Sequence, residues 1–367
     1  MPMLSAFAPN VKAQQSAVDW WPTSRHDVTH TGYSTSTGPT ANTVFWSYTT
    51  GNSIAYSSPA VMNGVVYVGS DDHYVYALNA ATGGFLWSYK TGGSIDSSPA
   101  VDNGVVYIGS EDNKVYALNA TNGVKLWSHG TGGEVESSPA VVNGVVYVGS
   151  DDNKVYALNA QTGTKDWSYT TGDYVDSSPA VVNSVVYVGS DDYNVYALNA
   201  QTGTKDWSFG TGYDVVSCPA VVNGVLYIGS EDNNVYALNA ETGSKMWSYA
   251  TSSQVESSPA VANGIVYVGS DDNNLYALNA TTGGTIWTYG TGNFVDSSPA
   301  VANGVVYVGS EDDSLYAFGT ITVPQPSPVT PEFPNQAIAL ALVASMICTT
   351  FAVIVAKKKR IGKPLQG

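Results

Sequence analysis

The chain runs to 367 residues, carries a formal net charge of −16, and is rich in Gly (37) and Tyr (25) but low in charged residues, at 12%. Abundant Tyr, Val, Gly, Ser, Asn and Asp suit short strands and tight turns rather than helices, so the expected class is all-β, and the length forces no second domain because repeat units bury contacts only with neighbours. Residues 43–320 hold 27 acidic residues (the chain's 30 without Asp19, Asp27 and Glu332) against 7 lysines, a net of −20, which repels phosphate backbones and excludes nucleic acid as a partner.

Residues 1–18 read as a flexible lead or the remnant of a secretion signal. Met3 to Pro9 is weakly apolar and Val11-Lys12-Ala13 places small residues as at a cleavage site, without a basic start or a full apolar core. Residues 19–42 share no pattern with residues 43–320. His26 and His30 stand four apart with Asp27 beside His26, a metal site without a recognisable third ligand. The expectation is instead an N-terminal segment that packs Trp20 and Trp21 across the repeats.

Over residues 43–320 a forty-residue unit recurs, with its cleanest copy at 135–172. SSPA begins at Ser57, Ser97, Ser137, Ser177, Ser257 and Ser297, and SCPA at Ser217. A period of this length with strand-like pattern predicts a β-propeller or a solenoid. Each unit reads as four strands. The first, V-x-S-S-P-A-V, is small enough for a crowded axis, and its Pro is tolerable because one edge of that strand is unpaired. An Asn-Gly turn comes next, as at Asn143-Gly144, the strongest short hairpin signal; Ser184 once takes the place of that Gly. VVYVGS is the second strand, an acidic turn leads to VYALNA as the third, and Thr-Gly turns into a fourth that carries a Trp.

A further Trp strand, 44–48, precedes the first SSPA, whereas the last unit stops at Phe318 with no Trp strand. The expectation is therefore a closed seven-bladed propeller in which the N-terminal strand completes the last blade, leaving no exposed sheet edges; eight blades is the alternative. Cys218 in a repeat and Cys348 in the tail build no disulfide framework.

Residues 321–336 form a Pro-rich linker. Residues 337–356 are uncharged and long enough to span a bilayer as a helix, and Lys357, Lys358, Lys359 and Arg360 come directly after them. The basic residues 357–367 place the C-terminus in the cytoplasm and the propeller outside, on the cell membrane.

The string Ala157-Leu158-Asn159-Ala160-Gln161-Thr162-Gly163-Thr164-Lys165-Asp166-Trp167 resembles the tryptophan-docking motif of the pyrroloquinoline-quinone (PQQ) repeat family. These are the propellers of quinoprotein alcohol dehydrogenases and of the outer-membrane barrel-assembly lipoprotein. The resemblance implies that Trp87, Trp127, Trp167, Trp207, Trp247 and Trp287 each stack on the adjoining blade, with Trp46 closing the ring. The family often has Asp where this chain has Asn79, Asn119, Asn159, Asn199, Asn239 and Asn279. Its dehydrogenases clamp PQQ with a vicinal cysteine pair, a calcium site and a catalytic carboxylate. This chain has no Cys-Cys pair and its blades are nearly alike, so the resemblance implies the repeat without the enzyme, with no catalytic or PQQ-binding residues. Pro331-Glu332-Phe333-Pro334, the apolar span and the basic cluster are similar to PEF-type sorting tails of archaeal surface proteins.

Acidic pairs recur at Asp71-Asp72, Glu111-Asp112, Asp151-Asp152, Asp191-Asp192, Glu231-Asp232, Asp271-Asp272 and Glu311-Asp312. The links between blades add Asp96, Glu136, Asp176, Glu256 and Asp296, with Tyr56 and Val216 at the two exceptions. All of them fall on one face of a propeller. Turn chemistry is the plainer explanation, since Asp and Asn bond the local backbone; a calcium site is the other, against the lack of D-x-D spacing. No Ser-His-Asp or Cys-His set can be assembled from His73 and His129. Asn119 and Asn279 open glycosylation sequons on the opposite face. The expected function is a non-catalytic, monomeric, surface-anchored module that binds a protein or a glycan and is stabilised by cations. The alternative is a membrane-anchored quinoprotein-like oxidoreductase.

Overall fold

In blade 3 the strands Ala140–Val142, Val145–Ser150, Lys154–Asn159 and Lys165–Thr170 pair antiparallel in chain order. Asn143 and Gly144 between the first two take φ of 52° and 78°, the mirror-image turn that only Asn and Gly enter cheaply. Register is then set by the turn: Ala140 faces Tyr147, Tyr147 faces Ala157, and Ala157 faces Trp167, with a bulge after Ala157. The computed structural model, which describes residues 21–34, 44, 46–302 and 304–319, repeats this sheet at forty-residue steps. It contains seven four-stranded sheets and no helix among the described residues. We number the blades from the sheet that begins at Ala60 to the one that holds Ala300.

The core lies between blades rather than within them. Ala140, Tyr147, Val155 and Trp167 of blade 3 cluster with Val181, Val186, Tyr196 and Leu198 of blade 4, so each sheet buries both faces against neighbours. Tyr147 Oη and Trp167 Nε1 both donate to the carbonyl oxygen of Ala200, at 3.1 and 2.9 Å. The Trp167 ring lies against Gly203, where φ is 70° and an added Cβ would stand 2.6 Å from the indole. Trp46, Trp87, Trp127, Trp207 and Trp247 make the same indole bond to Ala80, Ala120, Ala160, Ala240 and Ala280. Trp287 packs on Phe318, with ring centroids 5.5 Å apart.

Around the axis the second serine of each SSPA links one blade to the next. Ser58, Ser98 and Ser138 donate their N–H groups to the Oγ of Ser98, Ser138 and Ser178. Ser178 donates to Cys218 Sγ at 3.2 Å, Cys218 to Ser258 and Ser258 to Ser298. One cavity is lined by this position from all seven blades, so the sheets surround a common axis. Between Ser298 and Ser58 the bond is missing among the described residues, and a cleft of about 590 Å³ lies there, lined by Tyr56, Ser58, Ser297 and Ser298.

Here the structure differs from the closing strand expected of 44–48. Residues 46–50 join no sheet, and the fourth member of the seventh sheet is Tyr33–Ser34, paired parallel with Val301 and Ala302 on the inner edge. The inner edges are also less free than expected. Trp21, Pro22, Val28, Thr29, Thr31 and Gly32 accept the backbone N–H of Val61, Val101, Val181, Val221, Val261 and Val301. Residues 21–34 thus run along the inner edges of six of the blades, because the free inner edges offer N–H groups that need acceptors. Packing of the N-terminal segment on the repeats is found for Trp21, which bridges Val61. Residues 1–20, the linker, the span at 337–356, the basic tail, Cys348 and Pro331 to Pro334 lie outside the described residues. Among the described residues no helix is long and apolar enough to cross a membrane.

Candidate binding face and axial cavity

The two acids of each pair have different surroundings. In blade 3 Asp152 Oδ2 accepts from Tyr156 Oη at 2.5 Å, from Gly132 N at 2.9 Å and from Lys154 Nζ at 2.9 Å. Asp72, Asp112, Asp192, Asp232, Asp272 and Asp312 meet Tyr76, Tyr116, Tyr196, Tyr236, Tyr276 and Tyr316 in the same way. These bonds outweigh the cost of burial and hold Asp72 and Asp152 below the usual carboxylate range. Asp192 Oδ1 also accepts the N–H of Asn194, an Asx turn. The second acid of every pair is therefore committed to structure, clasping its own turn to the link that arrives from the preceding blade.

The first acids face the link acids instead. Burial, then the charge of Asp176 close enough to share a proton, pushes Asp151 up to about 8. Burial together with neighbouring carboxylates also lifts Asp191 to about 8, Glu136 and Glu231 to about 7 and Asp96 to about 6. Asp296, desolvated and bonded to Asp271, rises to about 6. Buried oxygens of Asp71, Asp151, Asp176, Asp191, Asp271 and Asp296 have no donor, and among the second acids neither do the Oδ1 atoms of Asp112 and Asp152. Protons shared between carboxyl groups, or cations, would satisfy them. Two groups bring their carboxylate oxygens within 4.8 Å of one another, Asp96–Glu111–Glu136 and Glu134–Glu136–Asp151. Among the described residues, these are the ones the fold gathers closely enough to hold a divalent ion.

The axial cavity has a volume of about 430 Å³. Asp96, Glu136 and Asp176 line it together with the ring of serines, and Ser24 and Arg25 reach it from the N-terminal segment. Tyr56 and Cys218, two departures from the repeat, also line it. Arg25 is 7% exposed. It donates from Nε to His30 O at 3.2 Å, from Nη1 to Ser258 O at 2.8 Å and from Nη2 to Pro259 O. Burial lowers it to about 10, partly offset by the negative charge of Asp27.

Among the described residues no group of metal-ligating side chains includes a histidine. His26 stacks edge-on against Trp21 at 4.9 Å and lies 3.4 Å from Asp27 Oδ2. His30 is buried, and desolvation reinforced by the Arg25 charge lowers it to about 3, which keeps it neutral. Asp27 is taken up by the hydroxyls of Thr29 and Thr31 at 2.6 and 2.7 Å. In the turns of the opposite face, Asn159 Oδ1 accepts from Gln161 N and Thr162 N, so the neutral amide fills the place where the family often has Asp.

Sequence reasoning passes over Arg25 and the Tyr–Asp bonds. Both leave a signal: Arg25 and Arg360 are the chain's two arginines, and D-x-x-x-Y recurs in each repeat.

The family described as outer membrane protein assembly factor BamB matches residues 32–171, 128–254 and 254–322. No curated protein matches the chain in sequence. Among solved structures, BamB from Moraxella catarrhalis is similar with a TM-score of 0.62 and 21% identity, over 70% of this chain and 82% of that one. The computationally designed Ika8 protein gives 0.66 and 20%, over 72% and 83%. The quinohemoprotein alcohol dehydrogenase ADHIIG from Pseudomonas putida HK5 gives 0.69 and 16%, over 82% and 71%. At these identities the likeness is one of fold.

Proposed function

We propose, for a chain that belongs to the repeat family of the outer membrane protein assembly factor BamB, a non-catalytic role as a binding and scaffold module displayed at the cell surface. The span at 337–356 anchors it in the membrane in this reading, with the propeller outside and the basic tail in the cytoplasm. The recognition surface is the acidic face, and its partner is a protein that presents basic side chains. One observation carries this: buried carboxylate oxygens without donors recur along that face at Asp151, Asp176, Asp191, Asp271 and Asp296. A surface of this kind gains from any cation brought to it, whether a lysine or arginine of a partner or a calcium ion.

The test is capture by the full chain in detergent, on arrays of basic and acidic proteins and of surface glycans, at low and high salt. Retention of basic proteins that fades with salt supports the reading. Salt-independent retention of neutral glycans makes the face a lectin surface, and retention of nothing overturns it.

The second reading, a quinoprotein-like oxidoreductase, rests on the likeness to a dehydrogenase propeller. The vicinal cysteine pair that clamps PQQ does not fit here, since the axial wall offers Cys218 alone and its Sγ accepts the Ser178 N–H. Dye-linked alcohol oxidation after incubation with PQQ and calcium would favour that reading over the first.

A further inference from the structure

The guanidinium of Arg25 is a buried charge without a direct ion-pair partner among the described residues. Its side chain lines the axial cavity, and no carboxylate lies within ion-pair distance among the described residues; the Asp27 oxygens are occupied by Thr29 and Thr31. Three of its N–H groups are spent on backbone carbonyls, and a guanidinium has five. An anchor for the N-terminal segment alone would need only neutral donors, which carry none of the cost of burying a charge. Two donors and one positive charge therefore remain at this end of the cavity.

The other end is negative. In five of the seven blades a link acid comes first, then two serines, then the Pro-Ala-Val that leads into the inner strand. Arg25 binds the carbonyls of Ser258 and Pro259, two and three residues beyond Glu256, the link acid of that blade. Asp96, Glu136 and Asp176 thus stand at one end of the cavity and Arg25 at the other. Tyr56 also lines the wall, an aromatic ring of the kind that attracts cations. A volume of about 430 Å³ is in the range of small-molecule sites.

We propose that the axial cavity binds a small zwitterion, its carboxylate on Arg25 and its ammonium between Asp96, Glu136 and Asp176. A simple anion would meet the acidic rim and a simple amine would leave the guanidinium unpaired, so only a ligand with both groups satisfies both ends. This goes beyond the acidic-face reading and does not depend on it, since a basic protein partner need not enter the cavity.

The experiment is calorimetric titration of the full chain with ω-amino acids of increasing length, from glycine to 6-aminohexanoate. n-Butylamine, butyrate and the methyl ester of the best-bound member serve as controls. The expected result is one preferred length, with each control weaker by about tenfold or more. Glu136→Gln should weaken the preferred member by a similar factor without lowering the Tm of the unliganded chain. The ester tests Arg25 without a substitution that could unseat residues 21–34. Binding of butylamine or of the ester as tight as that of the amino acid overturns the proposal, as does no binding of any member up to about 10 mM.

Discussion

The indole Nε1 of Trp46 donates to the carbonyl oxygen of Ala80 at 2.9 Å, as Trp167 does to Ala200, although the residues around Trp46 belong to no sheet. Trp46 also lies against Gly83, and Tyr48 against Tyr76 at 5.6 Å. Residues 46–53 therefore sit on blade 1 as the fourth strand of each blade sits on the next, with Gly51 N on Asp72 and Asp71 N on Ser53 O. Trp46 is half-buried, so Trp46→Ala should destabilise the chain by less than the about 3–5 kcal/mol of a fully buried Trp truncation, read by denaturant unfolding. It should also expose residues 44–56 to protease, because this indole is what holds the open side of blade 1. Unchanged stability and unchanged cleavage would show that the docking contributes nothing there.

Ser184 stands with φ of 64° where Gly144, Gly224 and Gly264 hold 78°, 79° and 76°. A side chain with a Cβ is disfavoured in this region by about 1–2 kcal/mol, partly offset by the greater freedom of Gly in the unfolded chain. Ser184→Gly should therefore stabilise the chain by about 0.5–1 kcal/mol. A loss of stability would mean that the serine hydroxyl makes a compensating bond.

Tyr156→Phe removes the phenol that donates to Asp152 at 2.5 Å. A hydrogen bond to a charged group contributes about 1.5–3 kcal/mol, so the variant should be less stable by that much at pH 7. Asp152 is held below its ordinary value, so the stabilisation from its ionised form is present above the unfolded value and is lost as pH falls through the folded one. The difference between wild type and Tyr156→Phe should accordingly shrink in acid below about pH 4. A difference independent of pH would locate the loss in packing instead.

What the sequence makes legible here is what repeats in side chains. Asn143-Gly144 dictates its turn, and the alternation in VVYVGS and VYALNA dictates which faces are buried. Trp167 and Gly203 each make sense only against a partner in the adjoining blade. The course of residues 21–34 leaves no such trace. Val61, Val101 and Val301 reach that segment through backbone N–H groups, which any residue but Pro could supply. The acidic pairs are legible as turns and as one face. The commitment of each second acid's Oδ2 to a Tyr and to the preceding link depends on where those groups stand, and pattern alone does not give that. At the seam between Ser298 and Ser58 the pattern predicts a strand completion, whereas the described contacts there are Trp46 docking on one side and a parallel bridge at Val301 on the other.

The unsatisfied acids fix a pH dependence. Asp151 and Asp191 at about 8, Glu136 and Glu231 at about 7, and Asp96 and Asp296 at about 6 all lie above the unfolded values of 3.8 and 4.5. A carboxyl raised on folding binds more protons in the native state, so stability falls as pH rises from about 4 to about 8. His30, lowered from 6.5 to about 3, acts the other way below pH 6.5, as one group against six. The Tm should therefore be higher at pH 5 than at pH 8. Millimolar calcium, compared with sodium at matched ionic strength, should raise the Tm at pH 8, where the carboxylates are ionised and crowded within the roughly 8 Å range of screening. At pH 5 protons already occupy those oxygens and calcium has little left to relieve, so its effect should nearly vanish. An equal calcium shift at both pH values would mean that the ion acts elsewhere, and a Tm at pH 8 unmoved by calcium or by its chelation would remove the acidic clusters as cation sites.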